Sequence, residues 1–232
     1  MTVTPSPWHR KVYLGEMGPD AWLIPAPDSQ GAARKRGFPK SSVPNRFWQG
    51  NDDLYPEQPE LLPWAEAIVK ERIENNFKDA PSGRCLPGGP VVTGPYLNKL
   101  VQTPSVLVMI LEDFVAVRQV FLDGRSHPKE TNPSWYGHAT GKWEGDTLVI
   151  DTVGFNDRGS INLYPNTERM HLTERYHRRD LAHLDIEVAI DDPGTFKHPW
   201  KLTMVWDLAP REEIQEYVCE DNNKDAAHLV GK

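Results

Sequence analysis

His183-Leu184-Asp185-Ile186-Glu187-Val188-Ala189-Ile190-Asp191 alternates apolar and polar residues over its whole length. Leu184, Ile186, Val188 and Ile190 share one face, and His183, Asp185, Glu187 and Ala189 the other. This period of two is what a strand with one dry and one wet face requires. Asp191-Asp192-Pro193-Gly194 follows, a run that reverses the chain. Beyond it Leu202, Met204, Trp206 and Leu208 again oppose Lys201, Thr203, Val205 and Asp207. Two such runs joined by a short turn predict an antiparallel hairpin.

The same texture extends back to Ser105. Segments 105–112, 114–122, 136–144, 147–155, 170–178, 183–191, 200–208 and 212–219 read as strands. Glu112-Asp113, Asp123-Gly124, Gly145-Asp146, Arg179-Asp180 and Ala209-Pro210 punctuate them as turns. Tyr96–Gln102 is a possible first strand, making nine. The fold class predicted is all-β, an antiparallel β-barrel of 8–9 strands in meander order. At about eight strands a sheet closes around one small ligand or a plug of side chains.

Composition divides the chain. Of its 21 prolines, 15 fall in the first 104 of 232 residues, so residues 1–60 are expected to form an irregular, Pro-rich arm that sustains neither helix nor central strand. Trp8, Tyr13, Trp22, Phe38, Phe47 and Trp48 are scattered through it, which predicts an arm packed on the barrel or on a second copy in a homo-oligomer. Residues 61–232 form the barrel domain. They carry one short helix at about 62–76, with Pro63 in its first turn and Trp64, Ala67, Ile68 and Ile73 at helical spacing.

With 26 basic and 33 acidic residues and a net charge of -7, the longest basic cluster is Arg34-Lys35-Arg36. A nucleic-acid footprint is therefore excluded. No stretch approaches the ~18 consecutive apolar residues of a membrane span. The expected compartment is the cytoplasm, the alternative being a signal peptide already trimmed. Cys85 and Cys219, 134 positions apart, match no zinc or redox motif. They are either two buried thiols or a disulfide pinning the arm to the last strand.

The informative strands are those with polar groups on both faces. In 114–122 an inward face brings either Arg118 or Gln119, and in 147–155 either Asp151 or Thr152 points in. In 170–178, Met170, Leu172, Glu174 and Tyr176 oppose His171, Thr173, Arg175 and His177. An apolar lining with a few fixed donors and acceptors is what a ligand cavity needs. Internal ion pairing is the competing explanation for Arg118, Asp151 and Glu174. There is no phosphate loop, no GxSxG elbow and no HExxH or HxH spacing, so neither a cofactor nor a metal is expected.

On face assignment, His138 or His171 is expected to donate or accept a proton and Asp151 to orient it or act as base, with Arg118 and Tyr136 as donors to a developing oxyanion. Tyr176, Glu174, Asn156, Phe155, Gln119 and Trp143 are expected to bind substrate.

Trp135-Tyr136-Gly137-His138 and the run Gly141 to Asp157, with Trp143-Glu144-Gly145-Asp146-Thr147-Leu148-Val149-Ile150-Asp151-Thr152-Val153-Gly154-Phe155-Asn156-Asp157 at its centre, resemble the signature of a large, mostly uncharacterised bacterial and fungal family. Gln102-Thr103-Pro104, Asp123-Gly124-Arg125 with His127-Pro128, Leu172-Thr173-Glu174-Arg175, Asp191-Asp192-Pro193 and Glu216-Tyr217-Val218-Cys219 resemble its pattern too. The resemblance spans about residues 60–221 and implies a lipocalin-like (calycin-type) barrel. Many members of that family are secreted, whereas this chain begins without an evident signal. More loosely, size and predicted fold are similar to small cofactor-free barrel enzymes of specialised metabolism, including cyclases and the fungal hetero-Diels–Alderases.

The function expected is therefore a cofactor-independent enzyme that binds an apolar or aromatic small molecule in the barrel and steers a cyclisation, isomerisation or elimination. The alternatives are a lipocalin-like binding protein without catalysis and a structural or oligomerisation barrel.

Overall fold

The computed structural model describes residues 23–25, 58–91, 97–180, 183–207 and 214–219. The expected arm over 1–60 lies outside these residues apart from β1 (Leu23–Pro25) and residues 58–60. The helix predicted at 62–76 is α1 (Pro63–Glu74), with Pro63 at its first position. It ends earlier because Asn76 and Phe77 turn to φ 53° and 60°, values a helix cannot continue through.

The strands are β2 (Leu97–Gln102), β3 (Val106–Leu111), β4 (Ala116–Phe121), β5 (His138–Glu144), β6 (Thr147–Val153), β7 (Ser160–Ile161), β8 (Tyr164–Pro165), β9 (His171–Arg178), β10 (His183–Asp191) and β11 (Trp200–Asp207). One sheet runs β1-β2-β3-β4-β5-β6-β9-β10-β11, and β7-β8 is a separate ribbon. The sheet from β2 to β11 curls into a half-barrel, giving the all-β fold. Leu100 of β2 and Trp206 of β11, near opposite ends of the strand order, belong to one buried cluster.

The alternation seen in sequence sets the inner face. Leu184, Ile186, Val188 and Ile190 are all at most 3 % exposed, and Leu202, Met204 and Trp206 are buried beside them. Leu107, Met109, Val120, Leu148, Ile150, Leu172 and Tyr176 complete the cluster from the other strands. Removing this much apolar surface from water is the main driving force for the curl.

Three expectations are corrected. The meander is not wholly antiparallel, because β4 pairs with β5 in parallel, through Val120↔Ala139 and Phe121↔Thr140 alone. The long link 122–137, carrying Pro128 and Pro133, returns the chain so that β5 starts in the same direction as β4. The strand expected at 114–122 begins only at Ala116, since Asp113–Val115 form a tight 3-10 turn with Phe114 at φ 56°. The last expected strand, 212–219, is irregular over the described 214–219. Its backbone there is held by side chains: Gln215 N–H donates to Glu112 at 2.7 Å, Tyr217 packs edge-on against Phe114, and Cys219 is joined to Cys85 by a disulfide. Of the two states open to the cysteines, the structure has the bridge.

No described helix is long and apolar enough to cross a membrane.

Candidate functional site

Two rungs join β4 to β5, so Ala116–Gln119 diverges from the chain that precedes His138. A cleft of about 510 Å³ opens in this seam, within the roughly 300–1,000 Å³ typical of small-molecule sites. Gln119, Phe121 and Arg118 come from β4, while Trp135, Tyr136 and His138 come from the segment facing it. Glu130, Thr131 and Asn132 supply a polar rim.

The wall formed by residues 131–137 is fixed from behind. Ser134 N–H donates to the Gly154 carbonyl at 3.0 Å, and Asn156 N–H to the Ser134 carbonyl at 2.9 Å. Gly154 has φ +75°, and a Cβ there would lie 2.7 Å from Thr131. Gly137, at φ +65°, would bring a Cβ to 2.7 Å from the Val153 carbonyl. Both positions need glycine for conformation and for close approach.

At the lip of the cleft His138 begins a chain of side-chain contacts. Its Nδ1 lies 2.9 Å from His127 Nδ1. His127 Nε2 lies 2.7 Å from Asp151 Oδ1, and His171 Nε2 is 2.6 Å from Asp151 Oδ2. The bonding fixes the tautomers. A carboxylate only accepts, so His127 and His171 donate from Nε2. In its uncharged form His127 has a lone pair at Nδ1, which accepts from His138 Nδ1–H. Neutral His138 is left with its lone pair at Nε2, and that nitrogen has no hydrogen-bond partner among the described residues.

Charge follows the same logic. Burial lowers the pKa of His138 below the ordinary imidazole value, and the His127 and Arg125 charges lower it further. Burial alone would raise Asp151, but the hydrogen bonds and charges of His171 and His127 outweigh it and hold the carboxyl below its usual range. The resting state is thus a neutral imidazole backed by an ionised carboxylate. Phe121 stacks on His138 with ring centroids 5.3 Å apart, and Arg125 lies 4.0 Å over the Phe121 ring.

Behind the seam is a second polar group, buried in the core. Arg118 Nη1 donates to Glu174 Oε1 at 2.9 Å, Nη2 donates to Glu174 Oε2 and, at 2.8 Å, to Thr152 Oγ1. Tyr176 O–H donates to Glu174 Oε1 at 3.0 Å. Burial works against the Arg118 charge, yet Glu174 more than offsets it and raises the guanidinium's pKa. Tyr176 is raised well above the phenol value, first by burial and then by Glu174. Tyr136, half-buried between this network and the cleft, is pushed up to about 12 by burial and by the Asp113 carboxylate, with Arg118 opposing.

The structure therefore sorts the expected residues. His138, Tyr136 and Gln119 line the cleft, and Arg118 borders it while its guanidinium lies in the buried network with Glu174 and Thr152. Asp151 and His171 lie on the opposite face of the sheet from Thr152 and Glu174, connected to His138 through His127. Glu174 and Tyr176 belong to the buried ion-pair network. Phe155 is 1 % exposed in the core and Asn156 is buried, where its Oδ1 caps Arg158 N–H at 3.0 Å, so both shape the wall from behind. Trp143 packs against the core cluster.

His127, the central member, was missed by sequence reasoning. Its one signal is the Asp123-Gly124-Arg125, His127-Pro128 pattern. Among the described residues no group of three or more His, Cys, Asp or Glu is arranged to hold a metal ion.

No family model, no curated protein and no solved structure matches the chain.

Proposed function

We propose that this protein is a cofactor-independent enzyme that binds an apolar or aromatic small molecule in the β4/β5 seam and moves a proton on it, driving an isomerisation, elimination or cyclisation. One observation carries the reading: His138, at the edge of an aromatic-walled cleft, is backed by His127 and Asp151 in an unbroken hydrogen-bonded series. An imidazole held in one tautomer by a carboxylate, with its other nitrogen open, is equipped to act as general base and then as general acid. The site lies in the wall of the barrel. The lumen, where the ligand was expected from sequence, is occupied by the core cluster.

Opening of nitrobenzisoxazole tests this directly, because an aromatic C–H is removed by base and a coloured phenolate is released. The wild type is expected to accelerate the reaction, and His138→Ala to lose about 10²–10⁴-fold. Equal rates in the two proteins would overturn the proposal. A probe that binds but is never turned over would favour the non-catalytic binding protein.

A further inference from the structure

We infer that His127 is a proton relay: as His138 takes a proton from a molecule in the cleft, the hydrogen on its other ring nitrogen passes in the same step to His127, where Asp151 holds the charge. The inference rests on the acid/base reading of His138 and adds the positioning residue through which that histidine acts.

The groups involved share one face of the sheet. His138 and Thr140 of β5 lie opposite Val153 and Asp151 of β6, and Asp151 lies opposite Thr173 of β9, two residues from His171. Side chains alternate along each strand, so His138, Asp151 and His171 project to the same side. His127, from the loop before β5, joins them there. Its Nδ1 is 2.9 Å from His138 Nδ1 and its Nε2 is 2.7 Å from Asp151 Oδ1, with Thr140 Oγ1 3.4 Å from that same Nε2.

Two imidazoles have the same intrinsic basicity, so their surroundings decide which of them carries an added proton. His127 bears directly on the ionised Asp151. His138 has no ion pair among the described residues and is stacked on Phe121; burial, the His127 charge and the Arg125 charge all weigh against a charge on it. The positive charge is therefore better placed on His127. It travels no farther. His171 Nε2–H already donates to Asp151 Oδ2 at 2.6 Å, and against the opposing effect of burial His171 and His127 together hold that carboxyl below its usual range.

The step moves two protons. The His138 Nε2 lone pair bonds to the incoming hydrogen, and the electron pair of the broken C–H bond stays with the substrate. The His138 Nδ1–H bond breaks, its pair remains on Nδ1, and the His127 Nδ1 lone pair takes that proton. His138 emerges neutral with an N–H toward the cleft, so the nitrogen that served as base becomes the donor for the return half of the reaction. Reversal of both transfers, to product or to water, resets the pair.

Opening of nitrobenzisoxazole compared in light and heavy water tests the relay. The C–H hydrogen of this probe does not exchange with solvent and its phenolate leaves without a proton, so a solvent isotope effect on kcat reports a protein N–H in motion. The wild type is expected to turn over more slowly in heavy water on the plateau of its pH profile, beyond any change in the acetate-catalysed opening run alongside. His127→Gln keeps an acceptor oxygen and an N–H donor but takes up no proton. It is expected to open the probe about 10-fold more slowly, with the isotope effect gone. Should His127→Gln not fold, nitrogen NMR of the ¹⁵N-labelled wild type, on the alkaline side of the imidazole range, decides instead: His138 is expected to carry its hydrogen on Nδ1 and His127 on Nε2. The opposite tautomers, a His138-dependent turnover equally fast in both waters, or an isotope effect that survives in His127→Gln would each overturn the relay and leave the acid/base reading standing where turnover still depends on His138. Opening no faster than in His138→Ala would remove both.

Discussion

Asp151 Oδ1 sits 2.7 Å from Nε2 of His127, and this contact sets the protonation pattern all the way to the cleft. Asn at position 151 would present an amide N–H where an acceptor is required. His127 could then satisfy it by turning its lone pair to Nε2, which forces His138 to carry its proton at the cleft-facing nitrogen. Asp151→Asn is expected to reduce turnover of nitrobenzisoxazole by about 10²–10⁴-fold, with an unchanged circular dichroism spectrum. A loss below threefold would show that the carboxylate does not govern the imidazole.

The base form of His138 is lost as pH falls through its lowered pKa. Activity is therefore expected to hold through neutrality and to decline on the acid side with a midpoint below the ~6.5 of a free imidazole. Because the Arg125 charge contributes to that lowering, Arg125→Gln should move the midpoint upward. A pH–rate profile of the two proteins checks both statements.

Arg118 and Glu174 are each 2 % exposed. Removing one partner strands a charge in the core, so Glu174→Ala is expected to cost about 3–5 kcal/mol in urea unfolding. Replacing the pair together, Arg118→Met with Glu174→Leu, should recover most of that loss, since two apolar groups need no partner.

Asp113 is half-buried, and burial raises its carboxyl pKa to about 6. A folded-state value above the unfolded one means that stability from the protonated form is complete below the unfolded pKa of ~3.8 and is lost as pH rises through about 6. Asp113→Asn is accordingly expected to raise Tm at about pH 8 and to leave it nearly unchanged at about pH 3. Thermal melts at the two pH values test the sign.

The disulfide closes a loop with a sequence separation of 134, which in the chain-entropy view is worth about 5 kcal/mol. Reduction, or Cys85→Ala with Cys219→Ala, should lower Tm markedly and free the 214–219 segment to proteolysis. Thiol titration of the unreduced, denatured protein is expected to find no free cysteine. Bridges of this kind persist in oxidising compartments, so protein made in a reducing cytosol should gain stability on oxidation.

How far the sequence could be read depended on how local each determinant is. β10 was legible to the residue because four branched or long apolar side chains alternate with polar ones and turn residues bound them. The start of β4 was not, since Phe114 looks like one more apolar strand residue while its backbone turns to φ 56°. Glu216–Cys219 also has strand-like composition, but a covalent bond to a distant cysteine decides its course. At the site, His138, Asp151 and His171 could each be picked out as chemistry-bearing groups. Their connection could not, because His127 is supplied by a loop and its partners are 11 and 24 positions away. The cleft itself comes from a parallel join between neighbouring strands, a feature that hydrophobic periodicity does not encode.

That join also ties occupancy to stability. β4 and β5 share two rungs, whereas β5–β6 and β9–β10 share seven and eight. Amides along this line should exchange with solvent sooner than those elsewhere in the sheet. A molecule wedged into the gap would act as a keystone, raising the melting temperature in proportion to the logarithm of its concentration once it is well above its Kd. Thermal-shift screening of unlabelled metabolite collections can therefore search for the natural substrate before any reaction is assayed.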